Sequence, residues 1–178
     1  QKGLIEHYTY IADRTDIPII LYNVPSRTGV NIEPETYYEL AKHPNIVAVK
    51  EASGNLPAMI KTMRLCQNNL AVYSGDDAII QPVMAIGGKG VISVAGNLIP
   101  QIIVRLCQYM KENRIKEAAM LQISVSSLIE TLFMETNPIP IKKAMELSGY
   151  PVGKCRLPLS EAEEKTVDAL KKELKNQE

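Results

Sequence analysis

Ile46-Val-Ala-Val-Lys-Glu-Ala-Ser-Gly54 sets a lysine at the end of a β-branched run of strand type, with a Ser-Gly turn behind it. A continuous apolar run is the pattern of a strand buried on both faces. An ammonium at the end of such a strand must be paired or lose its proton, because burial disfavours the charged form. A neutral lysine amine attacks ketones and forms Schiff bases. Lys50 is therefore the first candidate for chemistry. The competing reading is a lysine whose stem packs while its head reaches water.

Tyr22 ends the preceding strand-type run. A hydroxyl there can carry the protons that carbinolamine formation and loss require. It can equally be a core tyrosine with its hydroxyl at the rim. Arg27 follows in a Pro-Ser-Arg-Thr-Gly stretch, where a guanidinium can hold a carboxylate bidentately or simply be solvated. Asp76-Asp77 hints at a metal, but a helix cap is the simpler role for one of them. Gly87-Gly-Lys-Gly90 fails as a phosphate loop: Val83 stands where the first glycine belongs, and Gly90 where Ser or Thr should follow the lysine. It reads as a helix stop before a strand.

These residues need a frame, and the chain alternates. Helical spacing over Gly3–Asp13 precedes a strand at Pro18–Val24, a loop at Pro25–Gly29 and a helix from Pro34 to about His43. The Lys50 strand follows, then a helix from Leu56 to about Asn68 and a strand at Leu70–Ser74. A helix at Ala78–Ile86, a strand at Gly90–Val94 and a helix from Ile99 to about Lys111 complete the series. Short connections and strict alternation predict a parallel α/β sheet, whose chemistry collects at the C-terminal strand ends. Those ends are Tyr22, Lys50, Ser74-Gly75 and Ile92-Ser93. If Lys50 points inward, alternation sends Ala48 and Ile46 the same way. After Lys111 the pattern is helical: one helix over Arg114–Met134, a short one at Ile141–Leu147, and a last one opened by a Ser160-Glu-Ala-Glu163 capping box. The expected domains are 1–111, made of four β/α units, and 112–178, a small helical domain.

The 178 residues suffice for such a core, with 46% hydrophobic and 22% charged residues and a formal net charge of zero. That balance gives no electrostatic case for nucleic acid or an anionic membrane, and no apolar run approaches the ~20 residues of a membrane span. Cys66, Cys107 and Cys155 are odd in number and widely spaced, as in reduced cytosolic proteins. His7 and His43 are too few and too far apart for a usual metal site. The chain opens at Gln1, on a helix and without a methionine, so a fragment, a processed chain or a trimmed one is the expectation. No signal peptide is read, and the expected location, from the thiols, is the cytoplasm.

Five segments in order, Tyr22-Asn-Val-Pro-Ser-Arg-Thr-Gly29, Val49-Lys-Glu-Ala-Ser-Gly54, Tyr73-Ser-Gly-Asp-Asp77, Gly88-Lys-Gly-Val-Ile-Ser-Val94 and Asn137-Pro-Ile-Pro-Ile-Lys142, resemble the dihydrodipicolinate synthase (4-hydroxy-tetrahydrodipicolinate synthase) family. The resemblance runs through the whole chain. It implies a TIM-barrel (β/α)8 fold, here only its last four β/α units plus the C-terminal helical domain, in a family that is usually homotetrameric. It implies that Lys50 forms the Schiff base with pyruvate and that Tyr22 belongs to the proton relay. By the same resemblance Arg27 binds the carboxylate of L-aspartate semialdehyde, Gly75 lines the pocket, and the Ile92 carbonyl lies beside the lysine. The resemblance further implies a reaction of lysine (diaminopimelate) biosynthesis that needs no metal or diffusible cofactor. Sister aldolases such as N-acetylneuraminate lyase share the lysine; Arg27 is the residue that favours the synthase. The family's first four strands, with their paired threonines, the tyrosine that crosses a subunit interface and most of the lysine-inhibitor pocket, have no counterpart in this sequence. The implied partners are therefore a complementary barrel half or further copies of the chain. An inactive structural fragment is the alternative.

Overall fold

The computed structural model describes residues 1–175. The elements, in chain order, are α1 (Lys2–Ala12), β1 (Ile19–Asn23), α2 (Pro25–Thr28), α3 (Pro34–Leu40), β2 (Ile46–Glu51), α4 (Leu56–Cys66), β3 (Ala71–Ser74), α5 (Ile80–Ala85) and β4 (Gly90–Val91). Five helices follow: α6 (Pro100–Lys111), α7 (Ile115–Ser124), α8 (Ser126–Leu132), α9 (Ile139–Leu147) and α10 (Glu164–Lys175). The chain divides into two compact units, Gln1–Ile92 and Ser93–Glu178.

In the first unit the four strands form one parallel sheet in the order β1-β2-β3-β4. Its connections start helices in a consistent way. Pro25, Pro34 and Pro57 occupy first-turn positions, where a missing N–H costs nothing. The Asn55 side chain caps α4 by accepting from the Ala58 amide at 3.0 Å. One sheet face is covered by α1, α3 and α4. Leu21, Val49 and Val72 from the strands pack there with Ala12, Tyr37, Leu40 and Cys66 from the helices. Alternation sends Ile20, Tyr22, Ala48, Lys50 and Tyr73 to the other face. Ile20 and Tyr22 remain 48% and 43% exposed there.

Several expectations from the sequence change in the structure. The register between β1 and β2 shifts at Ile19/Ile20, because Ile19 pairs with Ile46 and Ile20 with Ala48. Val47 is the extra residue of this bulge. Ile46 therefore packs in the helix-covered core with Val49 and does not share the Lys50 face. The expected loop after β1 holds one helical turn, α2, ended by Gly29 in the left-handed region. The expected five-residue strand at Gly90–Val94 is only two residues long, and Ile92 still donates to the Ser74 carbonyl at 2.9 Å. The glycines before it do stop α5: Gly87 donates to Met84 and Gly88 to Val83, and a Cβ on Gly88 would come within 2.7 Å of the Val83 carbonyl oxygen.

In the second unit Leu106, Ala118, Leu128, Leu132, Ala144 and Leu170 are fully buried where the helices pack. The expected helix over Arg114–Met134 breaks at Val125 into α7 and α8. Ser124 and Ser126 donate to the carbonyls of Leu121 and Ile123, at 2.8 Å each, and such local bonds compete with the helical ladder. Ser160 does not cap the last helix. α10 begins at Glu164, and the Glu135 carboxylate accepts from the Glu163 amide at 3.0 Å.

Candidate active site

The first unit's sheet register sets Tyr22 opposite Lys50 and Lys50 opposite Tyr73, on the face away from the helices. The Lys50 Nζ lies 4.3 Å from the centroid of the Tyr22 ring. This is close enough for the π face to attract an ammonium. Burial nevertheless lowers the proton affinity of the Lys50 amine; the Asp77 carboxylate opposes that shift, and the Arg27 guanidinium adds to it. Arg27 sits in the last turn of α2, which springs from the end of β1 with its amide bonded to the Val24 carbonyl.

Gly75 explains how the lysine stem fits. It follows β3, and its amide donates to the Glu51 carbonyl at 2.7 Å, prolonging the ladder past the strand. A Cβ at Gly75 would meet Lys50 Cγ at 3.0 Å, Lys50 Cε at 3.1 Å and the Ala52 Cβ at 2.8 Å. The lysine stem therefore lies against a surface that only a glycine leaves free. Asp76 caps the 3-10 turn Asp77–Ile79 by accepting from the Ala78 amide at 2.9 Å, so the two aspartates divide their roles. Asp76 starts the turn and Asp77 faces the amine electrostatically.

The sequence-derived candidates thus gather at one rim of the first unit. Tyr22, Lys50 and Gly75 are in close relation, Arg27 is within electrostatic reach, and Ile92 lies just past Val91, the partner of Ser74. Sequence reasoning passed over three features. Tyr73 shares the Lys50 face, as its phase relative to the buried Val72 would have indicated. Asp77 acts on the amine. Behind the site, on the core side, Glu51 is buried among Asn23, Tyr37 and the Ser53 amide; the strand register and the packing of α3 assemble that cluster, and neither is visible in the sequence. Among the described residues no group of three or more His, Cys, Asp or Glu side chains is placed to hold a metal ion. No described helix is long and apolar enough to cross a membrane.

Residues 1–177 match the model of the dihydrodipicolinate synthetase family. The chain belongs to this family. Among its relatives, the 4-hydroxy-tetrahydrodipicolinate synthase 1 of Clostridium acetobutylicum is 49% identical over 175 residues, 98% of this chain and 60% of that protein. The 4-hydroxy-tetrahydrodipicolinate synthase of Caldicellulosiruptor bescii is also 49% identical, over 98% of this chain and 59% of that protein. Crystal structures of dihydrodipicolinate synthase from Aquifex aeolicus and Thermotoga maritima superpose with TM-scores of 0.96 and 0.95 at 39% and 40% identity. They are matched over 60% and 61% of their own chains, and over 99% and 98% of this one. The chain thus spans about 60% of the length of the family members it matches.

Proposed function

We propose that this chain carries the nucleophile of a 4-hydroxy-tetrahydrodipicolinate synthase acting in lysine biosynthesis, with Lys50 forming a Schiff base with pyruvate. The observation that carries the proposal is the half-buried Lys50 amine of lowered proton affinity, held over Tyr22 and against Gly75. A neutral amine adds to the pyruvate ketone, and water leaves as the Schiff base forms. Tyr22 is the group that moves protons in those steps. The enamine carbon then attacks the aldehyde of L-aspartate semialdehyde, whose carboxylate Arg27 holds, and cyclisation follows. Gly75 and the Ile92 backbone line the pyruvate side. The names of the relatives favour the synthase over N-acetylneuraminate lyase.

The same proposal reads the chain as the last four β/α units of a (β/α)8 barrel and its helical tail, without the first four units. Its working form is then a complex with a complementary barrel half or a homo-oligomer, and a cytoplasmic setting suits the free thiols of Cys66, Cys107 and Cys155. An inactive structural fragment is the second reading. It is favoured by the exposure of Ile20 and Tyr22, which a closed barrel would cover.

Borohydride reduction in the presence of pyruvate, followed by intact mass, tests the chemistry. One adduct per chain, absent in Lys50→Ala, is expected; no adduct favours the inert reading. Once the barrel is complete, Arg27→Ala is expected to impair use of the semialdehyde more than formation of the pyruvate adduct. Equal loss of both would assign Arg27 to the structure of the pocket.

A further inference from the structure

Glu51 is next to Lys50 in sequence but on the opposite side of the sheet, 5% exposed. Its carboxylate accepts four contacts. Asn23 Nδ2 donates to both oxygens at 3.0 Å, the Tyr37 hydroxyl to Oε2 at 2.8 Å, and the Ser53 amide to Oε1 at 2.8 Å. Every donor is neutral, and among the described residues no cation pairs with the carboxylate. Burying a charge in this way costs free energy that an apolar side chain of similar size would not incur. Packing alone does not account for it.

The donors show what the carboxylate connects. Asn23 follows Tyr22 and pairs with Glu51 just as Tyr22 pairs with Lys50. The last backbone bond between the two strands runs from the Ala52 amide to the Asn23 carbonyl at 2.9 Å; beyond it β1 leads into α2 and β2 into the loop before α4. Asn23 also donates to Asn31 Oδ1 at 2.8 Å and accepts from the Ile32 amide at 3.1 Å, at the far end of the segment that carries Arg27. Ser53 belongs to the loop after β2, beside the Ala52 that touches the Gly75 position. Tyr37 anchors the arrangement to α3 and is itself 1% exposed.

We infer that Glu51 is a positioning residue: from the core side its carboxylate clamps the ends of β1 and β2 and the segments that follow them, and so fixes Tyr22, Arg27 and Lys50 relative to one another. The inference rests on the reading of Lys50 as the nucleophile, but its effect on the amine can be measured without pyruvate.

The experiment is competitive acetylation of the full 178-residue chain by trace acetic anhydride across pH, read by peptide mass spectrometry. The exposed Lys42 and Lys61 serve as internal references. Releasing the strand ends admits water to Lys50, so in Glu51→Gln its titration should move up by about one pH unit, with the references unmoved. Hydrogen exchange of the Arg27, Thr28 and Gly29 amides, which bond to Val24 and Pro25, should accelerate by about tenfold. The double variant Asn23→Asp/Glu51→Gln exchanges donor and acceptor and should restore at least half of both effects. A downward move of the Lys50 titration would mean that Glu51 acts only through its charge, and would overturn the clamp. So would an unmoved titration with unchanged exchange. Should Glu51→Gln fail to fold, Tyr37→Phe removes one of the donors and should give a smaller shift of the same sign; no shift there also overturns it. Borohydride trapping with pyruvate is read separately. A wild-type chain that forms no adduct while its Lys50 titration answers to Glu51 refutes the pyruvate reading and supports the clamp.

Discussion

At Lys50 burial lowers the affinity for a proton, Asp77 raises it and Arg27 lowers it again. The balance leaves the folded-state value below the ordinary 10.5. Between the lowered value and 10.5 the unfolded chain binds a proton that the folded chain does not, so stability rises with pH across that interval. Below the interval both states are protonated and the full penalty is present. Urea unfolding of the wild-type chain and Lys50→Met from pH 7 to 10 should show the wild type gaining on the variant as pH rises. A difference that stays constant would contradict the lowered amine. Gly75 bears on the same side chain. Its substitution by alanine forces contact with Lys50 and Ala52 and is expected to cost about 1–3 kcal/mol, as overpacking does. The stem of Lys50 is the movable partner, so Gly75→Ala should also slow acetylation of Lys50 relative to Lys42; unchanged stability and labelling would show that the gap relaxes freely.

Among the elements, β2 decides which residue faces the site. A one-residue slip against β1 would exchange Lys50 and Glu51, sending an ammonium toward Leu21 and Tyr37 and a carboxylate toward Tyr22. Val47 is the residue that the bulge accommodates, so deleting it should leave the later register intact. Deleting Val49 should turn Lys50 into the core and unfold the unit. Circular dichroism and acetylation of Lys50 would separate the two variants, and equal damage from both would argue against the bulge. Alternation of strand and helix, the strand-end lysine and the helix stop at Gly87-Gly88 were all legible in the sequence, because each depends on local periodicity or backbone preference. The bulge was not legible, since Ile46, Val47 and Ala48 are all apolar and give no phase. The break at Val125 was hidden by the apolar residues that continue at helical spacing on both sides of it. Ser160 and Glu163 had the spacing of a capping box, and only the approach of Glu135 shows why it does not form. Asn23, Glu51 and Tyr37 are scattered in sequence; strand pairing brings Asn23 to Glu51, and the packing of α3 on the sheet adds Tyr37.

For the molecule as a whole, the exposed Ile20 and Tyr22 and the unpaired outer edges of β1 and β4 among the described residues leave surface that favours association. Sizing of the purified chain at increasing concentration is expected to reveal species heavier than its 19.7 kDa. Turnover of pyruvate with L-aspartate semialdehyde should stay far below that of a complete synthase until a covering half is supplied. A strictly monomeric chain with full turnover would contradict both statements. The strand order has a consequence for how the protein is made. β2, β3 and β4 each lie beside the strand that precedes them in the chain, so during synthesis each of them emerges next to a strand already made. Tyr22 and Lys50 can meet while Gly75 is still inside the ribosome. The central pair of the site is thus available to fold before the ribosome has finished the sheet.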